Sequence, residues 1–258
     1  MEYLKFFTLE ESTNFVSVFK SKFMGKSKKK KDTKQTLEYV ETEKKFHVPR
    51  IKYRNLRQKE LVDAICNNQL VLSQGGAGAG KTFAALYAAL KLLEKGQTDQ
   101  IVLIKSVTTL PGEDIGWLPG SLETRMFPFH LSFIANIDRF IGKDERERLM
   151  KEDKIVIQPL AYIRGISGFR QTFIIDEAQN LNLEVFKSII TRIGEDCHFV
   201  FIGDVFQIDL VKRSESVYKR MMEEFKDKIE GVYVMNFQPE DQARNPIITP
   251  ILKILEKF

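Results

Sequence analysis

Cysteine is scarce: Cys66 and Cys197 are the only two in 258 residues, which excludes a disulfide scaffold and leaves both as reduced, buried thiols. Histidine is hardly more frequent. His47, His130 and His198 are scattered without the paired spacing of a zinc site, so a structural or catalytic zinc is not expected. Long apolar runs are missing as well, and nothing approaches the roughly 20 residues that cross a bilayer. The N-terminal stretch mixes acids with short apolar pieces and does not read as a secretory signal. No membrane partner is expected, and the expected compartment is cytoplasmic. What remains is 43% hydrophobic and 11% aromatic, enough for one large α/β domain or one domain with an appendage.

The formal net charge of +5 is unevenly spread. Residues 20–34 hold eight lysines (Lys20, Lys22, Lys26, Lys28, Lys29, Lys30, Lys31 and Lys34) against one acid, Asp32, a local charge of +7. The rest of the chain therefore carries a net −2. The basicity belongs to an arm. Such a run reads either as a solvated stretch or as a polybasic tether adding salt-sensitive attraction to phosphate backbones. The expected organisation is a charged, Lys-rich N-terminal arm over 1–50, followed by one domain over 51–258.

Within that domain, short apolar runs alternate with helical patterns. The periodicity predicts a helix over 56–66, a strand over 70–73, a helix over 82–95 and a strand over 101–105. Helical stretches follow between 122 and 151, then strands at 155–157 and 173–175, a helix after Leu183, a strand at 199–202, a helix over 214–228 and a strand at 232–237. A last helix opens at Pro246. Strands apolar on both faces and spaced by helices predict a parallel sheet covered on both sides.

The most informative segment is Gly75-Gly76-Ala77-Gly78-Ala79-Gly80-Lys81-Thr82, set between the apolar run 70–72 and an alanine-rich helical run. Glycines let successive backbone N–H groups turn inward around an anion, and the following helix points its positive end at the same place. Lys81 is placed to reach the β- and γ-phosphates of a nucleotide, and Thr82 to ligate Mg²⁺. The strand at 173–175 ends in Asp176-Glu177. Asp176 would hold Mg²⁺ through water, and Glu177 would polarise the water that attacks the γ-phosphate. A third strand tip carries Gly203-Asp204 and then Gln207, which can touch the γ-phosphate or its water. Upstream, Gln58 precedes Gly75 by 17 residues, a placement suited to the adenine edge. ATP and Mg²⁺ are the cofactors that suit these residues.

These four segments, in this order, resemble the motor domains of superfamily 1 helicases. More closely, the chain resembles the PhoH family of ATPases over residues 53–255. That resemblance rests on Gly112-Glu113 with Gly116-Trp117-Leu118-Pro119-Gly120, on 159–165 and 173–180, and on Thr191-Arg192-Ile193-Gly194. It extends through Gly203-Asp204, Gln207-Ile208-Asp209-Leu210 and 241–246. The implied fold is a single RecA-like P-loop NTPase domain. Lys105-Ser106 stands where the family usually shows Arg-Pro, Gly165-Ile166-Ser167-Gly168 replaces a more basic stretch, and Asn245 replaces a usual histidine.

The resemblance also implies partners. A superfamily 1 motor closes its site with an arginine from a second motor domain, and 51 residues follow Gln207 here, too few for another such domain. Arg244 is the candidate finger, acting in trans within a ring, with a hexamer as the expected form. Single-stranded nucleic acid, RNA favoured, is the implied polymer. Its candidate contacts are Thr108, Thr109, Trp117, Arg125 and Arg164, although a lone tryptophan in such a loop more often packs into the core. Arg170 and Arg192 are further candidates for phosphate contact or for sensing nucleotide. Two alternatives stay open: a slow nucleotide-switched binding protein without unwinding activity, and a small-molecule P-loop phosphotransferase. Glu177 beside Asp176 favours hydrolysis over the latter.

Overall fold

Strands that bury both faces need a helical layer on each side, and the alternation of side chains along these strands supplies two separate sets of contacts. The computed structural model describes residues 46–106, 122–165, 168–205, 207, 216–241, 247, 250–251 and 254, with main chain alone for 122–129 and 164–165. The arm over 20–34, the candidate residues Thr108, Thr109, Trp117 and Arg244, and the side chains of Arg125 and Arg164 lie outside the described residues.

In chain order the elements are α1 (Leu56–Asn67), β1 (Leu70–Gln74), α2 (Lys81–Glu94), β2 (Gln100–Lys105), α3 (Leu122–Ile141), α4 (Lys143–Lys151) and β3 (Ile155–Ile157). Then come β4 (Gln171–Asp176), α5 (Leu183–Ile190), β5 (His198–Gly203), α6 (Tyr218–Phe225) and β6 (Val232–Asn236), with short 3₁₀ turns at Leu160–Gly165, Ala178–Asn180 and Pro239–Asp241. The strands form one six-stranded sheet in the order β3-β2-β4-β5-β1-β6, and every pairing is parallel. The four inner strands are buried almost throughout, whereas β3 and β6 at the edges are only half-buried.

Odd and even positions sort cleanly. Val71, Ile101, Leu103, Ile174, Val200 and Ile202 face one layer with Leu61, Ile65, Leu86, Leu90, Phe133, Ile137 and Leu149 from α1 to α4. Leu70, Leu72, Val102, Ile104, Phe173, Ile175, Phe199 and Phe201 face the other, with Phe186, Ile189, Tyr218 and Met222 from α5 and α6. Phe173 and Phe199 are register partners and stack at 4.3 Å. The small face of α2, Ala84, Ala85, Ala88 and Ala89, is fully buried and lets that helix lie close to the sheet.

Two helix starts follow side-chain capping chemistry. Asn55 accepts from the Gln58 N–H at the head of α1, and Asn182 accepts from Val185 N–H at the head of α5, each satisfying a donor that has no partner within its helix. The core also reaches back past residue 51: Val48 is fully buried and its N–H donates to Glu94 Oε1 at 2.9 Å, so 46–50 packs with the domain. No helix among the described residues is long and apolar enough to cross a membrane.

Candidate nucleotide-binding site

All six strands point the same way, so their carboxyl ends collect the loops that sequence alone could only enumerate. β1 leads into the loop that brings Ala77, Gly78 and Gly80, β4 delivers Asp176 and Glu177, and β5 delivers Gly203 and Asp204 to a cavity of about 580 Å³. Because β5 lies between β1 and β4, the glycine loop and the paired acids face each other across one strand.

The loop is shaped by two glycines for two different reasons. At Gly75 a Cβ would stand 2.5 Å from Phe237 Cβ, so any side chain would push against the residue that follows β6. At Gly80 the backbone takes φ +84°, a region that L side chains rarely adopt, and a Cβ there would collide with the Gln58 amide. Lys81, 9% exposed, donates from Nζ to the carbonyls of Gly75 and Gly76, the latter at 3.0 Å, and so lies folded along the loop.

Thr82 and Asp176 meet directly. The threonine hydroxyl donates to Asp176 Oδ2 at 3.3 Å. Burial, and next the charge of Glu177, push the Asp176 carboxyl up to about 6, while Lys105, the Glu177 N–H and Lys81 pull the other way. A hydroxyl and a buried carboxylate offering oxygen atoms to one point suit a hard divalent cation, Mg²⁺ above all, and a cation there would favour the charged carboxylate. Among the described residues no cluster of His, Cys, Asp or Glu suggests any other metal site.

Glu177 leaves the strand with φ +58°, a left-handed turn that is unusual for a glutamate. Its Oε2 accepts from Gln179 Nε2 at 2.8 Å, and its Oε1 faces Lys105 Nζ at 3.8 Å. Gln207 is exposed at the rim, and its N–H closes a turn onto Asp204 O at 2.9 Å. Lys105 sits at the tip of β2 and borders the same cavity.

The expectation for Arg170 and Arg192 needs correction, whereas Gln58 does lie at the cavity. Gln58 is only 2% exposed. Its Nε2 donates to Ala79 O and its Oε1 accepts from Arg54 N–H, both at 3.0 Å, so the amide braces the glycine loop while the residue also lines the cavity. Arg170 lies at the opposite end of the sheet, ahead of β4, where its guanidinium pairs with Asp99. Arg192 belongs to the same distant end, its main chain accepting from Gly168 N–H. Neither reaches the cavity.

Sequence reasoning missed the outer wall. Ser132, Asn136, Arg139 and Phe140 of α3 stand across from Ile51, Lys52 and Arg54. Phe83 and Phe140 pack at 4.6 Å between ring centres, with the Arg139 guanidinium 5.7 Å above Phe83. No motif marks these positions.

Residues 50–256 match the family model described as PhoH-like protein. The chain belongs to the PhoH-like family. It is similar to a PhoH-like protein of Bacillus subtilis, 33% identical over 233 residues, covering 87% of this chain and 72% of that one. A PhoH-like protein of Synechocystis is 30% identical over 207 residues, covering 80% and 62%. Protein PhoH of Escherichia coli is 30% identical over 196 residues, covering 75% of this chain and 55% of its own. The chain thus spans between half and three quarters of these relatives. Among solved structures it is similar to a large terminase from a thermophilic bacteriophage, with TM-score 0.46, 9% identity and 76% and 48% of the two chains covered. The Pif1 helicase of Candida albicans gives TM-score 0.42, 17% identity and coverage of 80% and 44%. Family membership together with the glycine loop identifies a PhoH-like P-loop NTPase.

Proposed function

We propose that this PhoH-like chain binds ATP with Mg²⁺ and hydrolyses it, coupling the cycle to single-stranded nucleic acid, RNA favoured, within a ring of subunits. The observation that carries the reading is the convergence of Lys81, Thr82, Asp176 and Glu177 on one cavity. Lys81 would exchange the loop carbonyls for the β- and γ-phosphate oxygens, and the N–H groups of the loop would hold the same phosphates at the head of α2. Thr82 and Asp176 would hold the metal, which draws off charge as the γ-phosphoryl leaves. Glu177 would polarise the attacking water. Gln207, at the rim, would read the γ-phosphate.

Arg244 is proposed as the finger that a neighbouring subunit contributes, which in related chemistry changes the rate by roughly 10³ to 10⁵. Thr108, Thr109, Trp117, Arg125 and Arg164 are proposed for the polymer side, where base stacking on an aromatic is worth about 1–3 kcal/mol. The Lys-rich arm over 20–34 would add sequence-independent attraction.

The test is steady-state ATP turnover with and without single-stranded RNA or DNA, with Glu177→Gln as control. Turnover that rises with RNA and vanishes in the control supports the motor. Turnover indifferent to every polymer moves the reading to a slow nucleotide switch. No turnover in the wild-type chain refutes both. Normal turnover in Arg244→Ala removes the finger.

A further inference from the structure

Gln179 is fully buried, yet its side chain lies under the chemistry and not in the apolar layer. Its Nε2 donates to Glu177 Oε2 at 2.8 Å and to Gln207 O at 2.9 Å. Its Oε1 accepts from Asp204 N–H at 3.0 Å. A primary amide offers two N–H donors and one carbonyl acceptor in a single plane, so both hydrogens and the oxygen are engaged by three groups of the candidate site.

The surroundings fit this use. Gln179 sits in the 3₁₀ turn Ala178–Asn180, and its own carbonyl accepts from Ser216 Oγ at 2.7 Å. The turn lies against the end of β5, where a Cβ on Gly203 would come within 3.2 Å of Gln179 N. No other side chain meets all three demands. Asparagine is too short, glutamate has no hydrogens to donate, and methionine keeps the length but none of the polarity.

We propose that Gln179 is a positioning residue for the hydrolysis inferred above. It holds the Glu177 carboxylate in one orientation and ties it to the Asp204–Gln207 turn, so that the group polarising water and the turn reading the γ-phosphate move as one body. The proposal rests on the hydrolytic reading of the site. Lys105 faces the other carboxylate oxygen at 3.8 Å, so Gln179 is the shorter of the two restraints on Glu177.

The experiment compares ATP turnover of the full chain with saturating single-stranded RNA in five forms: wild type, Glu177→Gln, Gln179→Met, Gln179→Glu, and Gln179→Met combined with Glu177→Gln. Wild type must turn over and Glu177→Gln must fall at least a hundredfold to a residual rate; failure there refutes the hydrolytic reading whatever Gln179 does. With that reading standing, Gln179→Met and Gln179→Glu lower kcat tenfold or more and leave KM for ATP within twofold. Adding Gln179→Met to Glu177→Gln changes the residual rate by less than twofold, because the residue acts through Glu177. A loss below tenfold, a parallel rise in KM, or multiplicative losses in the double variant overturns the proposal. Gln179→Glu keeps an acceptor for Asp204 N–H, so it decides the question if Gln179→Met does not fold. If Gln179→Glu also fails to fold, the amide is required for folding and the positioning role falls.

Discussion

The ammonium of Lys105 stands 3.8 Å from Oε1 of Glu177, at the tip of the strand next to β4. It is the foremost of the influences that draw the Asp176 carboxyl back down against burial and the Glu177 charge. Lys105 therefore competes with a divalent cation for the same two acids.

Removing that competitor has a defined sign. Lys105→Met strengthens Mg²⁺ binding about three- to tenfold, or roughly 1 kcal/mol, since a like charge is withdrawn from a partly solvated site. A Mg²⁺ titration of nucleotide binding reads this directly. An unchanged or weakened half-saturation point shows that the lysine contributes more to the phosphates than to the acids.

The glycine loop and the metal pair separate by readout. Lys81→Ala lowers ATP affinity about tenfold to a hundredfold, the worth of a charge-assisted hydrogen bond of roughly 1.5–3 kcal/mol. Asp176→Asn leaves metal-free nucleotide binding within a few-fold of wild type and removes the dependence of affinity on Mg²⁺. Equal effects of both changes on metal-free binding would contradict the division of labour.

Gly75→Ala tests the close approach to Phe237. With 2.5 Å between the new Cβ and Phe237 Cβ, the loop or the end of β6 must move, and nucleotide affinity falls at least tenfold while the sheet stays folded. Circular dichroism with a nucleotide titration checks it; wild-type affinity in a folded variant means the loop tolerates the displacement.

Tyr218 is fully buried, and its hydroxyl faces the carbonyls of Ser73 at 2.9 Å and Phe201 at 3.0 Å, beneath the glycine loop. Tyr218→Phe removes the one hydroxyl hydrogen that serves these two carbonyls, at a cost of about 1–3 kcal/mol. Urea unfolding measures it, and a loss under about 0.5 kcal/mol, the scatter of surface changes, would show that the strands compensate.

Acid loosens the segment ahead of α1. Partial burial opposes ionisation of Glu94, but hydrogen bonds from Lys91 and the Val48 N–H, the Lys91 charge and His47 outweigh it and hold the carboxyl below its ordinary value. A depressed carboxyl stabilises the fold above its unfolded value and loses that contribution as pH falls through the folded one. Hydrogen exchange at Val48 N–H therefore accelerates, relative to the sheet, as pH is taken below the ordinary glutamate range. Glu94→Gln abolishes the pH dependence, and a dependence that survives it points to another acid.

The glycine loop, the acids after β4 and the alternation of strands with helices were readable because each depends on neighbours in sequence. The two-sided burial of β4 follows from Phe173-Ile174-Ile175 alone. Gln58 shows the limit: spacing placed it near the loop, but only tertiary packing decides that its amide turns to Ala79 O. Arg170 failed for a related reason, since its residue type suits phosphate but its position at the start of β4 commits it to Asp99. Gln179 was visible as a letter after the acids, and its partners were not, because Asp204 and Gln207 reach it only once β4 and β5 lie side by side.

The strand order adds a mechanical constraint on any cycle this site runs. β5 is hydrogen-bonded to β1 on one side and to β4 on the other, so the loop and the acids cannot draw apart without shearing two parallel ladders. Work done here must pass through turns and side chains at the rim, while the platform beneath them stays still.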